Sequence, residues 1–112
     1  MKSDRVLQAK FAIGQIVKHR RFSFRGVIHN IDPRFANTEE WYQAIPPEVR
    51  PSKDQPFYHL FAVGDSGPYE AYVSEQNLLP DHESGPVAHP MIGRVFEGLS
   101  GDRYVLKRTL AH

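Results

Sequence analysis

Apolar residues first gather in FAIGQIVKHRR, from Phe11, and gather again in RGVIHNID, from Arg25. Both runs are rich in Val and Ile, and the short interval at residues 21–24 predicts that they pair as antiparallel strands. Gly26 is expected at a bulge or sharp bend. Asp32-Pro33 ends the second strand, because proline donates nothing to a ladder. In ANTEEWYQAIPP the pattern changes to helix: Asn37 is the expected cap, Glu40 stands in the capping-box position, and Trp41 and Ile45 share a face. Pro46-Pro47 stop this helix, which at about two turns needs packing to persist. Four prolines within residues 46–56 predict an irregular connection.

The second half repeats the alternation. QPFYHLFAVG and YEAYVS read as strands around a GDSGP turn, with a short 3-10 piece expected over residues 75–79. Residues 81–88 are polar and read as loose. Met91, Ile92, Val95, Phe96 and Leu99 recur at helical spacing after Pro90, predicting a small helix ended by Gly98 and Gly101, and RYVLK reads as a last strand. The elements add up to a mainly β chain, a small SH3-like β-barrel with one short inserted helix. The expected organisation is a flexible N-terminal arm over 1–10, the barrel over 11–80, and a C-terminal helix/strand extension over 81–112.

Composition narrows the possible functions. A chain of 112 residues holds one domain, and the lack of cysteine removes disulfides, thiolate metal sites and a Cys nucleophile. MKSDRVLQAK resembles no signal peptide and no segment approaches a membrane-spanning length, so a soluble, cytoplasmic protein is expected. The net charge of +1 conceals a division. Residues 1–25 carry seven Lys and Arg against one acid, whereas residues 26–100 carry four against eleven. One end of the sequence can therefore steer a polyanion, although the total lacks the strongly basic balance of dedicated nucleic-acid binders.

Catalytic chemistry has no visible constellation. GDSG matches the nucleophile loop of trypsin-like proteases, but here it lies between alternating strands, where Asp and Gly supply turn geometry; Ser66 is no nucleophile. The histidines at 19, 29, 59, 82, 89 and 112 lack metal-binding spacing, and His29 and His59 read as core or groove residues. Glu39, Glu40 and Glu48 suit the short helix. No glycine loop could cradle phosphate, so neither a metal nor a cofactor is expected.

Two surface candidates remain. KHRRFSFR places Lys18, Arg20, Arg21 and Arg25 around Phe22 and Phe24, so cations can grip phosphates while an aromatic ring stacks or wedges against a base. On the residues alone, the plainer alternative is that the cations are merely solvated and the phenylalanines enter the core. Arg34 and Lys53 are possible outer contacts. Trp41, Tyr42, Phe57 and Tyr58 flank the proline-rich connection and could line a protein-binding groove, or Trp41 and Phe57 could fill the core.

The blocks IGQIVKHRRFSFRGVIHNIDPRF, NTEEWY, KDQPFYHLFA and AYVSEQNLLPD, covering roughly residues 10–81, together resemble the YccV-like hemimethylated-DNA-binding family. That family includes the bacterial heat-shock protein HspQ. GPVAHPMIGRVFEGLSGDRY resembles the extension of longer members. The resemblance implies a non-enzymatic SH3-like barrel that binds DNA carrying a methylated GATC site on one strand. It further implies self-association and a part in protein turnover, as an adaptor that helps an ATP-dependent AAA+ protease degrade denatured proteins during heat stress.

Overall fold

The computed structural model describes residues 8–109 of the chain. Five strands form one antiparallel sheet: β1 (Ile16–His19), β2 (Arg25–Asp32), β3 (Phe57–Gly64), β4 (Gly67–Ser74) and β5 (Leu78–Pro80), in the order β4-β3-β2-β1-β5. The fold is mainly β, as the alternation predicts. Between β2 and β3 the chain inserts helix α1 (Glu39–Gln43) and a 3-10 turn (Pro47–Val49). Thr38, rather than Asn37, caps α1: its hydroxyl accepts the Trp41 N–H at 3.0 Å, while the Asn37 side chain accepts from Thr38. The cap lies one residue later than expected, so Glu40 falls outside the capping-box position.

The connection from β4 to β5 bends the sheet. These strands occupy opposite edges, about 19 Å apart if the sheet were flat, at ~4.8 Å per strand. Yet a single 3-10 turn, Glu75–Asn77, joins them, and such a turn rises only about 2 Å per residue. The sheet must curl on itself. No ladder joins β4 to β5 among the described residues, so the fold is barrel-like with an open seam. Inside it pack Phe11, Val17, Ile28, Tyr58, Leu60, Ala62, Val73 and Leu78.

The outer face of the sheet is also covered. Ile16, Val27 and Phe61 point outward and pack beneath Val87, Ile92, Phe96 and Tyr104 of the C-terminal segment. Burial on both faces explains why FYHLFAV has no strict polar alternation. Residues 81–88 have no regular structure but bury Asp81 and Val87, so they are anchored rather than loose. The helix expected across 91–99 is reduced to a single turn, α2 (Ile92–Val95); Phe96–Ser100 is strand β6, paired antiparallel with β7 (Arg103–Leu106). Apolar residues at helical spacing lose here to the hairpin, which places Phe96 beside Tyr104 with ring centroids 5.7 Å apart.

Of the expected N-terminal arm, residues 1–7 lie outside the described residues; Lys10 donates its backbone N–H to Glu75 Oε2 at 2.8 Å. Gly26 occupies no bulge. It pairs regularly with Val17 and Ala62, and a Cβ there would lie 2.7 Å from the Phe61 carbonyl oxygen; the register shift falls at His29 instead.

Gly14 fastens the two layers. Its N–H donates to Ile28 O at 2.7 Å, and its carbonyl accepts the Tyr104 N–H at 2.8 Å. Its φ of +91° suits glycine, and a Cβ would stand 2.0 Å from the Tyr104 carbonyl oxygen. Gly14→Ala should therefore cost about 2 kcal/mol or more of unfolding free energy in a urea titration. An unchanged midpoint would show that the layers do not depend on this contact.

Candidate nucleic-acid interface

The basic stretch divides at the end of β1. Lys18 is exposed on β1, and Arg20, Arg21 and Phe22 are exposed on the turn leading to β2; Phe22 retains 66% of its surface. His19 organises this turn. Its Nδ1 accepts the backbone N–H groups of both Arg21 and Phe22 at 3.0 Å, and its ring stacks on Phe22 with centroids 4.6 Å apart. Accepting at Nδ1 requires the neutral ring with its proton on Nε2. Burial lowers the His19 pKa, and the charges of Arg21 and Arg20 add to the shift. Phe24 turns inward instead, packing against the barrel core and edge-on to Tyr69 at 5.8 Å. The two phenylalanines thus take the two different fates left open by the sequence.

Arg25 does not share the turn's role. Its Nε donates to Asp81 Oδ2 at 2.8 Å, and its Nη1 and Nη2 donate to the carbonyls of Pro86 and Gly85. It ties the sheet to the start of the outer layer. Burial pushes the Asp81 carboxyl up, but the Arg25 guanidinium and the N–H groups of Ser84 and Glu83 outweigh it and hold the pKa below the usual range. Arg34 and Lys53 lie apart from the turn, on the inserted segment. Arg34 pairs with Asp54 at 3.3 Å, and Lys53 pairs with Glu39 while lying 4.5 Å above the Tyr42 ring.

A groove of about 400 Å³ runs between the turn, β4 and the inserted segment. It brings Arg21 and Phe22 alongside Trp41, joining parts of both candidate sets. Trp41 is 36% exposed on its wall, and Phe57 is buried beneath it. Tyr42 is half-buried, donating its hydroxyl to Pro51 O at 2.7 Å. Tyr58 is not a surface residue: it lies fully inside the barrel, donating to Glu75 Oε2 at 2.7 Å and accepting from the Phe11 N–H. Its place on β3 puts it on the inner face, opposite Phe57. Val49 and Tyr69, exposed on the same groove, carry no local sequence signal. They are brought there by the fold.

His59 and His29 make contacts within the fold. Asp32 Oδ2 meets His59 Nε2 at 2.9 Å and accepts the Tyr72 hydroxyl at 2.8 Å; that hydroxyl also accepts the Ala36 N–H, pinning the inserted segment to the sheet. Burial raises the Tyr72 pKa to about 12. His29 stacks on Phe61 with centroids 4.0 Å apart. Among the described residues no three His, Asp or Glu side chains converge to hold a metal, and no helix is long and apolar enough to cross a membrane.

A family model described as "Hemimethylated DNA-binding protein YccV like" matches residues 9–103, from before the sheet through α2 and β6 to the first residue of β7. Among curated proteins, F-box only protein 21 of Homo sapiens is 31% identical over 96 residues, covering 85% of this chain and 15% of that protein. F-box only protein 21 of Mus musculus is 30% identical over the same share. The chain thus spans about 15% of the length of these relatives. No solved structure matches significantly.

Two measurements follow from the turn and its neighbour. In an NMR titration His19 should titrate below 6.5, with the Arg21 and Phe22 amides moving in step. A folded pKa below the unfolded one means that His19 supports the turn fully above pH 6.5 and loses it as pH falls through the lower value. A His19 pKa at or above 6.5 would refute the neutral cap. Arg25→Gln should lower unfolding free energy by roughly 2 kcal/mol, because it leaves the Asp81 carboxylate buried without its cation; an unaltered stability would make the pair incidental.

Proposed function

The chain belongs to the YccV-like hemimethylated-DNA-binding family, and from that premise we propose that the turn between β1 and β2 is the edge it sets against duplex DNA. One observation carries this reading: Lys18 near the end of β1 and Arg20, Arg21 and Phe22 on the turn after it are exposed together, and His19 already holds the backbone of that turn. Among the described residues none of these three cations is paired with a carboxylate. Arg25, Arg34 and Lys53 are left out of the interface because Asp81, Asp54 and Glu39, respectively, already match their charges.

The physics limits the affinity. Three cations release about three counterions, for a salt slope of roughly −2 to −3. Burying one methyl group is worth about 0.8 kcal/mol, or roughly a fourfold preference. An adenine N6-methyl is read in the major groove, and distinguishing one methylated strand from two needs an asymmetric contact that excludes the second methyl. Phe22, the only aromatic ring exposed on the turn, is placed to make the apolar contact. The reading invokes no catalytic step.

A second reading, an adaptor presenting denatured clients to an ATP-dependent protease under heat stress, is supported by the exposure of Phe22, Trp41, Val49 and Tyr69 around one groove.

Fluorescence anisotropy with unmethylated, hemimethylated and fully methylated GATC duplexes tests the first reading. The expected result is a preference of several-fold for the hemimethylated duplex that survives moderate salt. The pair Arg20→Glu and Arg21→Glu should abolish binding while shifting the melting temperature by no more than a few degrees. Duplex binding that persists in this double variant would place the interface elsewhere.

A further inference from the structure

The geometry points to a peptide site along the open seam: an extended segment, apolar at alternate positions and acidic between them, adds as a strand to the outer edge of β4. The inference deepens the adaptor reading and rests on it for the need of a protein partner; it does not depend on DNA binding.

The edge comes first. β4 is an outer strand of the sheet, and Gly64 and Gly67 pair across the two-residue turn Asp65-Ser66. A closing pair of this kind exchanges hydrogen bonds, and the alternation then runs through Ala62–Tyr69, Leu60–Ala71 and Tyr58–Val73. It arrives in phase at the Glu75 N–H donating to Pro56 O at 2.9 Å. The backbone groups of Glu70 and Tyr72 therefore face away from β3. Among the described residues no backbone bond outside the ladders engages either of them. Pro68 occupies the same outward phase, where a missing N–H leaves the β3–β4 ladder intact.

The groove lies beside this edge. Phe22, Trp41, Val49 and Tyr69 line it, and they are four of the seven large apolar residues left exposed among the described residues. Scattered exposed apolar residues are ordinary, but four around one groove mark a binding surface. Its volume of about 400 Å³ is in the range of formed ligand sites.

The edge and the groove together select the occupant. An outward row of N–H and C=O groups is matched by another extended main chain, whose alternate side chains enter the adjoining groove. A helix or a compact small molecule would leave that row unmatched. The charges lining the groove are Arg21, Arg50 and Glu48. The Arg50 guanidinium is engaged by the carbonyls of Gln43 and Ile45, whereas Arg21 has no carboxylate partner among the described residues. Two arginines against one glutamate leave the lining net positive, and Arg21 is the cation at the turn, so the guest carries an acidic residue there.

The test uses a fluorescein-labelled octapeptide alternating Val or Phe with Asp or Glu, a copy N-methylated at every second residue, and carboxymethylated lactalbumin as a permanently unfolded protein. Anisotropy should show the plain octapeptide binding at least tenfold more tightly than its N-methylated copy, with NMR shifts at the Glu70 and Tyr72 amides. Glu70→Pro removes an outward N–H, together with the carboxylate that stands 3.6 Å from His29 Nε2, leaves the β3–β4 ladder bonds in place, and should weaken binding at least tenfold. Val49→Gln should weaken it roughly fivefold, the loss expected from one exposed wall residue. Both variants should keep their melting temperature within a few degrees; a larger drop in Glu70→Pro hands the decision to Val49→Gln and the N-methylated copy. Equal affinity for the two peptides, or no octapeptide binding at millimolar concentration, overturns strand addition. Unfolded lactalbumin binding despite that result would leave the adaptor reading standing without this site. Dimers in sedimentation that Glu70→Pro abolishes, with no octapeptide bound, would make a second copy the guest and overturn the proposal as well.

Discussion

Three residues, Glu75–Asn77, carry the chain from one edge of a five-stranded sheet to the other, and this short tether governs the rest of the molecule. It forces the curl that creates an interior. It also fixes what stands at the interior's floor: the Glu75 carboxylate accepts from the Tyr58 hydroxyl and the Lys10 N–H, and the Tyr58 hydroxyl accepts from Phe11. A buried tyrosine hydroxyl with a partner on each side removes the cost of placing a polar group in an apolar barrel. Because the tether is short, the edges meet there and diverge farther along. The seam that opens between β4 and the β1–β2 turn is a direct consequence, and it brings the basic turn beside an apolar groove.

A second constraint acts on the other face. Arg25 and Asp81 join at the point where the chain leaves the sheet and begins its return over Val27 and Phe61. Asp81 is 5% exposed, and its other oxygen accepts from Glu83 and Ser84. A buried ion pair of this kind contributes less to net stability than to fixing one arrangement over others. Here it sets the path of the loop leading to Val87, and with it the docking of the outer layer.

Local patterns revealed the strands well and the tertiary partners poorly. Val/Ile runs and the GDSGP turn marked β1 to β4 because strand period and turn chemistry are short-range properties. Arg25 looked like its neighbours in KHRRFSFR, since nothing nearby signals a partner 56 residues away. Phe22 and Phe24 are chemically identical, and only the curl of the sheet decides which one meets Tyr69. Tyr58 beside Phe57 resembled a surface pair because neither face of β3 is polar enough to declare itself. The spacing from Met91 to Leu99 fits a helix face and also fits a turn followed by a half-buried strand. Pairing with β7 settles it. The His19 cap left a faint trace: a histidine just before the exposed turn, within reach of the next two amides.

The double-sided burial of β1 to β3 determines how small this module can be. A chain ending at Pro80 would retain the whole curled sheet yet leave Ile16, Val27 and Phe61 facing water as one contiguous sticky surface. The barrel and its outer cover therefore form a single heritable block. The family match runs to residue 103, taking in Val87, Ile92 and Phe96 of the cover and stopping one residue short of Tyr104, which contacts Gly14 and Phe96. Transplanting the sheet alone would carry the seam and the basic turn into a new protein along with an aggregation hazard; transplanting the block carries them safely.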